Sequence, residues 1–137
     1  MRAFFNASVI LAGIYSPGGA SAVLLKKTID DEIEGVISEL IFDEAVRHSG
    51  KIGLQPEDLE EKILGIFSHP FSAPKIGLVP KFGKVVIDPG DAHVIASAIY
   101  ENCDVLVTLD KKHLLILKGK IKDLEILSPG ELLQKIK

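Results

Sequence analysis

Short apolar runs alternate along this chain with longer segments in which apolar residues recur every three or four positions. The short runs predict strands, and the longer segments predict helices that pack an apolar face on a sheet. Strands are predicted at residues 3–5, 33–37, 84–87, 105–109 and 124–127. This alternation favours a three-layer α/β/α fold around a central parallel sheet of about five strands.

Helix boundaries follow from capping and turn residues. Helices are predicted at residues 9–14, 22–31, 39–50, 56–69, 88–102 and from 129 onward. Ser38 and Ser128 are favoured N-cap residues, and Pro129 suits the first helical position. Residues 71–83 carry several Pro and Gly residues, which predict a loop.

The composition fits one cytoplasmic domain. A chain of 137 residues with 47% hydrophobic content is long enough for one core, so residues 1–137 are expected to form a single domain. No segment approaches the roughly 20 apolar residues of a membrane span, and the first residues do not resemble a signal peptide. The lone Cys103 lies in an apolar stretch and is expected to be a buried thiol in a reducing compartment. We therefore expect a cytoplasmic protein with no membrane partner.

Charge and apolar content bear on the remaining partners. The net charge of -3 argues against a protein that coats nucleic acid by bulk electrostatics. The high apolar fraction includes runs such as Leu114-Leu115-Ile116-Leu117. Because this is more apolar surface than one small domain is expected to bury, it predicts a homodimer.

Candidate chemistry gathers where predicted strands end. Asp88 and Asp91 begin a predicted helix directly after one strand, and Asp110 follows another. Open α/β folds build their sites at the carboxyl edge of the sheet, so these acids predict a metal site. Asp88 and Asp91 also have a structural explanation, because Asp is a favoured N-cap residue and an acid in the first turn complements the helix dipole. Asp110 could likewise cap the turn at residues 111–115. The residues alone leave both explanations open.

Glu44 is a second kind of candidate, because it lies at the edge of an apolar helix face beside Ile41. A carboxylate in that position needs a partner. The partner is either a metal ion shared with other acids or one of the two residues a turn further on, Arg47 and His48.

Basic residues near the acids are candidates for substrate contact. Lys111 and Lys112 directly follow Asp110 and could grip phosphate oxygens, although a solvated surface explains any single lysine. Three further lysines precede Asp88 in the chain: Lys75, Lys81 and Lys84. His93 and His113 are expected to be solvent-exposed, since Asp-x-His alone is a weak signal for zinc.

Five motifs, in order, resemble the blocks of the PIN domain family. They are Phe4-Phe5-Asn6-Ala7-Ser8-Val9, Ile37-Ser38-Glu39-Leu40-Ile41-Phe42-Asp43-Glu44, Asp88-Pro89-Gly90-Asp91-Ala92-His93, Val107-Thr108-Leu109-Asp110-Lys111-Lys112 and Ile126-Leu127-Ser128-Pro129-Gly130-Glu131. Together they cover nearly the whole chain. The resemblance implies a central parallel sheet and a metal-dependent ribonuclease activity, which is found in many VapC-type toxins of toxin–antitoxin pairs.

The resemblance also implies roles for individual residues. Glu44, Asp91 and Asp110 would hold Mg²⁺ or Mn²⁺, and Asp88 would be a nearby catalytic acid that orients a water molecule. Ser8 occupies the position of a small polar residue that supports the first ligand.

Partners follow from the same resemblance. It implies an RNA substrate, an antitoxin protein and a homodimer. Ser8, Lys111 and Lys112 are our candidates for substrate binding.

Asn6 departs from the family pattern, which has Asp at this position. An amide oxygen can coordinate Mg²⁺, but it brings no negative charge and accepts no proton from an attacking water. Three interpretations follow: a metal-dependent ribonuclease weakened by Asn6, a PIN-like RNA- or protein-binding module without catalysis, and a doubly wound domain in which Asp88 and Asp110 bind a small phosphorylated ligand. A glycine-rich phosphate loop after the first strand would favour the third, and Asn6-Ala7-Ser8 offers none.

Overall fold

The structure, a computed structural model, describes residues 1–68 and 89–136, with only the backbone of residues 89 and 90. The described strands are β1 (Arg2–Phe5), β2 (Glu34–Val36), β3 (Val105–Val107) and β4 (Glu125–Leu127). The described α-helices are α1 (Ala7–Tyr15), α2 (Ala20–Ile29), α3 (Glu39–Arg47), α4 (Pro56–Ile66), α5 (Pro89–Tyr100) and α6 (Pro129–Lys135). Short 3-10 turns lie at Ser49–Ile52 and Leu115–Leu117.

The described strands form one parallel sheet in the order β2-β1-β3-β4. Ala3 of β1 lies beside Gly35 of β2 on one side and Val105 of β3 on the other. Most of the chain separates β1 from β3, but the two strands are parallel neighbours in the sheet. The residues that follow them therefore meet at one edge of the sheet. The predicted parallel sheet flanked by helices is confirmed. The fifth predicted strand, 84–87, lies outside the described residues.

The two central strands of the sheet, β1 and β3, are buried on both faces. Every residue of β3 is buried, and Ala3, Phe4 and Phe5 of β1 are each fully buried. A strand buried on both faces reads as a continuous apolar run rather than an alternating one, as these two do. Phe5 also packs edge-to-face on Phe67, with ring centroids 5.3 Å apart, which ties the segment after α4 to the sheet.

Two of the predicted helix starts are confirmed in detail. The Ser38 hydroxyl accepts a hydrogen bond from the Ile41 amide at the start of α3. At α6, the Ser128 hydroxyl accepts from the Glu131 amide while the Glu131 carboxylate accepts from the Ser128 amide, which is a complete capping box. The sequence pattern therefore located both helices by their first turn.

Other predicted boundaries were wrong by a few residues. The helix predicted over 39–50 ends at Arg47 and continues as the 3-10 turn Ser49–Ile52, which stops at Gly53 with a left-handed φ of 72°. The helix predicted at 22–31 begins earlier, at Ala20, with Gly19 as its N-cap. Apolar periodicity alone did not show either boundary.

The predictions for the remaining apolar residues had mixed outcomes. Cys103 is buried, as predicted, and burial raises the pKa of its thiol to about 12. In the run at 114–117, Leu114 and Leu117 are buried in the core, and only Ile116 is largely exposed. This run therefore leaves less apolar surface exposed for a dimer interface than the sequence suggested.

The described helices are short in comparison with a membrane span. In residues 1–68 and 89–136, no single helix is long and apolar enough to cross a membrane, and α1 with α2 would qualify only as a pair bent by 99°.

Candidate functional site

An open cleft of about 340 Å³ lies at the carboxyl edge of the sheet. Asn6 directly follows β1, and Leu109 and Asp110 follow β3, so the sheet order alone brings these residues together. Helices α1, α3 and α5 and the 3-10 turn after α3 supply the other walls. The polar residues that line the cleft are Asn6, Ser8, Glu44, His48, Lys51, Asp91 and Asp110.

Asn6 is a buried residue, only 7% exposed, whose side chain joins the ends of β1 and β3. Its Oδ1 accepts hydrogen bonds from the Ser8 hydroxyl at 2.8 Å and from the Thr108 hydroxyl at 2.9 Å. Those hydroxyls in turn accept from the backbone amides of Leu109 and Asp110. Both lone pairs of the Asn6 oxygen are thus used by hydroxyl donors, and its other terminal atom, Nδ2, is a donor that cannot ligate a cation.

Asp110 is held by the turn that it begins. Its Oδ1 accepts from the His113 amide at 3.0 Å, and its Oδ2 lies 3.3 Å from Nδ1 of the His113 ring. The amide of Asp110 is fixed by the Thr108 hydroxyl at 3.0 Å. The carboxylate therefore sits on a fixed backbone at the mouth of the cleft, and His113 is exposed, as predicted.

Glu44 is half-buried on α3 and lines the cleft. The residue one turn later, His48, does not bind the Glu44 carboxylate by its Nδ1. That ring nitrogen lies 2.8 Å from the backbone carbonyl oxygen of Glu44. The sequence suggested His48 as a possible partner of the Glu44 carboxylate. Nδ1 of His48 instead contacts the backbone of Glu44.

Asp91 lies in the first turn of α5, is half-buried and lines the same cleft. His93, two residues later, was predicted to be exposed, and this prediction was wrong. His93 is only 6% exposed, because nearly every residue of the middle of α5 is buried, and burial lowers the pKa of its imidazole. Its Nδ1 has no hydrogen-bond partner among the described residues.

The cleft brings together most of the predicted site residues. Glu44, Asp91, Asp110, Asn6 and Ser8 all line it. Asp88 lies outside the described residues, as do the three lysines that precede it, at 75, 81 and 84. Lys111 and Lys112 are exposed directly after Asp110, and their contact with a substrate stays a prediction.

The oxygen donors of the cleft fit Mg²⁺ or Mn²⁺ in their chemistry, because hard cations prefer carboxylate oxygens. Their arrangement is less complete. Within residues 1–68 and 89–136, no group of three or more His, Cys, Asp or Glu side chains is placed so that it could hold one metal ion. The described carboxylates thus share one cleft without forming a finished coordination set.

Two cleft residues were missed by the sequence analysis. His48 was considered only as a helix partner for Glu44, and Lys51 was not considered at all. Their signal is weak because both lie at the end of α3, where the chain changes from α-helix to a 3-10 turn that the periodicity did not show. Only the turn brings Lys51 to the cleft.

Comparison with known proteins agrees with this architecture. A family model described as PIN domain matches residues 2–112. The structure of VapBC2 from Rickettsia felis, bound to a DNA fragment from their promoter, contains a chain that is similar with a TM-score of 0.67. The two chains are 15% identical over 93% of this chain and 98% of that chain, so the likeness is one of fold. No curated protein matches the sequence. Since the family model covers most of the chain, this protein belongs to the PIN domain family.

Proposed function

We propose that this protein is a divalent-metal-dependent ribonuclease whose activity is weakened by Asn6. The observation that carries the proposal is the convergence of Glu44, Asp91 and Asp110 on one cleft at the carboxyl edge of the sheet. Carboxylate oxygens are the donors that hard cations prefer, so three acids lining one cleft support a cation site there.

The chemistry of phosphodiester cleavage explains why carboxylates would gather here. When bound, a divalent ion neutralises charge on the phosphate and makes a water molecule more acidic. Glu44, Asp91 and Asp110 would hold Mg²⁺ or Mn²⁺, and we propose Asp88 as the acid that orients the water. The backbone of Asp110 is held by the Thr108 hydroxyl, and its Oδ1 also caps the following turn by accepting from the His113 amide.

Partners are proposed on the same basis. The Rickettsia felis complex pairs the similar chain with a second protein and with promoter DNA. We propose that this chain is likewise the toxin of a toxin–antitoxin pair, that it acts on RNA in the cytoplasm, and that it forms a homodimer.

A second candidate function has its own support. The Asn6 oxygen accepts hydrogen bonds from two hydroxyls, and Nδ2 is a hydrogen-bond donor that cannot coordinate a cation. The described acids also do not complete a metal site. A PIN-like RNA- or protein-binding module without catalysis is therefore the alternative.

Cleavage of labelled single-stranded RNA separates the two functions. We expect wild type to cleave weakly or not at all with Mg²⁺ or Mn²⁺, and Asn6→Asp to cleave clearly faster, because the second carboxylate oxygen replaces Nδ2 in the cleft. Asn102→Asp makes the same chemical change at an exposed turn and should leave the rate at the wild-type value.

Three outcomes decide the matter. A faster Asn6→Asp variant that is silenced again by EDTA or by an added Asp110→Asn change supports the ribonuclease. Equal cleavage by wild type and Asn6→Asp shows that Asn6 does not limit the enzyme. No cleavage by any variant rejects the enzyme and leaves the binding module.

A further inference from the structure

The cleft is also lined by two residues that the metal chemistry does not use. They are His48, at the end of α3 and one turn after Glu44, and Lys51, in the 3-10 turn Ser49–Ile52. The amide of Lys51 donates to the carbonyl of His48 at 3.0 Å, so one turn of backbone fixes the spacing of the two residues.

The hydrogen bond of His48 fixes the proton on its ring. Nδ1 lies 2.8 Å from the carbonyl oxygen of Glu44, and a carbonyl oxygen can only accept, so Nδ1 carries the hydrogen. In the neutral ring, Nε2 is then a hydrogen-bond acceptor. Because Nδ1 faces back onto α3, Nε2 is the ring nitrogen left for a ligand in the cleft.

Lys51 supplies the complementary charge. It is exposed, and among the described residues that line the cleft it is the one lysine or arginine. An ammonium group has three donors and no acceptor, which suits a phosphate oxygen but does not distinguish RNA from DNA. The acceptor Nε2 of His48 suits the ribose 2′-hydroxyl, the group by which a protein tells RNA from DNA.

We propose that His48 and Lys51 form a nucleotide subsite in which Lys51 binds a phosphate and His48 Nε2 accepts a hydrogen bond from a ribose 2′-hydroxyl. This inference rests on the proposed function for its substrate class, and it adds the residue that selects RNA over DNA. It predicts separable effects, because one contact is electrostatic and common to both nucleic acids while the other exists only with RNA.

The test is binding without cleavage. Fluorescence anisotropy would measure the affinity of the full chain for a labelled single-stranded RNA and for the matching 2′-deoxy oligonucleotide, in EDTA and again in Ca²⁺. His48→Asn retains a donor near Nδ1 and removes Nε2, whereas His48→Gln places an amide oxygen near the Nε2 position. Lys51→Gln removes only the charge, and Lys62→Gln does the same at an exposed position of α4.

We expect His48→Asn to weaken RNA binding about 2- to 10-fold, the usual effect of one neutral hydrogen bond. DNA binding should be unchanged, and His48→Gln should recover part of the RNA preference. Lys51→Gln should weaken RNA and DNA equally and reduce the slope of log affinity against log salt by about 0.7, the value for one phosphate contact on a single strand. Lys62→Gln should match wild type.

Several results would overturn the subsite. These are no preference of wild type for RNA, equal losses of RNA and DNA binding in His48→Asn, a salt slope unchanged by Lys51→Gln, or no binding of either oligonucleotide in both buffers. The nuclease proposal fails separately, since RNA selectivity that depends on His48 without any cleavage by Asn6→Asp would leave an RNA-binding protein.

Discussion

At the scale of single residues, Asn6 has two roles that conflict. Its oxygen is the shared acceptor that joins the Ser8 and Thr108 hydroxyls and so ties β1 to β3. In the proposed metal site, its Nδ2 would stand where the family pattern has a second carboxylate oxygen. A carboxylate could keep the structural role, because it also accepts from two hydroxyls, and could supply the charge as well.

Thr108 tests the structural half of this account. Its hydroxyl is fully buried, donates to Asn6 and accepts from the Asp110 amide, so Thr108→Val removes one of two donors to the Asn6 oxygen and the acceptor of the Asp110 amide. We expect the free energy of unfolding to fall by about 1–3 kcal/mol. Thr28→Val removes a buried hydroxyl that donates to the Leu24 carbonyl of its own helix, and this change should cost less. Equal losses in urea unfolding would show that the Asn6 network is not special.

Cys103 gives a pH dependence of known sign. Burial, joined by the nearby carboxylates of Glu101 and Asp104, raises the pKa of the thiol from 9.0 to about 12 in the fold, with Arg2 opposing. The unfolded chain therefore loses the thiol proton first, and stability must fall as the pH rises from 9.0 toward 12. Urea unfolding at stepped pH should show a steeper decline for wild type than for Cys103→Ala. Parallel declines would contradict the buried thiol.

At the scale of elements, the sequence predicted those whose signal is local. A few neighbouring residues were enough to predict the strands β1 and β3 from their apolar runs. The same is true of the helix starts at Ser38 and Ser128, and all four predictions are confirmed. The end of α3 was not predictable in this way, because the 3-10 turn that stops at Gly53 has no apolar period. His93 was misjudged because a lone polar residue does not reveal that its helix is buried on nearly all sides.

Helix packing makes opposite predictions for two glycines. A Cβ at Gly13 of α1 would lie 2.5 Å from the Leu25 side chain and 3.1 Å from the Ser21 backbone, so a larger residue would have to displace the buried Leu25 side chain between α1 and α2. We expect Gly13→Ala to cost about 1–3 kcal/mol of unfolding free energy. A Cβ at Gly65 of α4 meets no heavy atom within 4 Å, and Gly65→Ala should stabilise by up to about 1 kcal/mol. Melting temperatures that shift in the same direction for both variants would contradict this packing.

At the scale of the whole molecule, the sheet order explains the candidate site better than any motif does. The strands β1 and β3 are distant in sequence, and only their pairing places Asn6 beside Thr108 and Asp110. The sequence could therefore name the acids but could not show how their oxygens are held. The occupied oxygen of Asn6 and the contributions of His48 and Lys51 depend on tertiary contacts and became visible only in the structure.

The homodimer predicted from composition is also a property of the whole molecule. Among the residues that the structure describes, the large apolar side chains that remain more than half exposed are Tyr15, Ile29, Leu64, Tyr100 and Ile116. Apolar side chains of this size favour association when they are covered by a second chain. We expect light scattering at tens of micromolar to give twice the chain mass, and a mass equal to one chain would reject the dimer.

Calorimetric titration with Mn²⁺ tests the central claim most directly, because it asks whether the cleft holds a cation at all. We predict weak binding to wild type, tighter binding to Asn6→Asp, and loss of binding in Glu44→Gln and Asp110→Asn. Asp123→Asn removes the same charge at an exposed turn residue with φ of 64° and should bind as wild type does. The account is contradicted if neither wild type nor Asn6→Asp binds Mn²⁺, or if binding survives the loss of Glu44 and of Asp110.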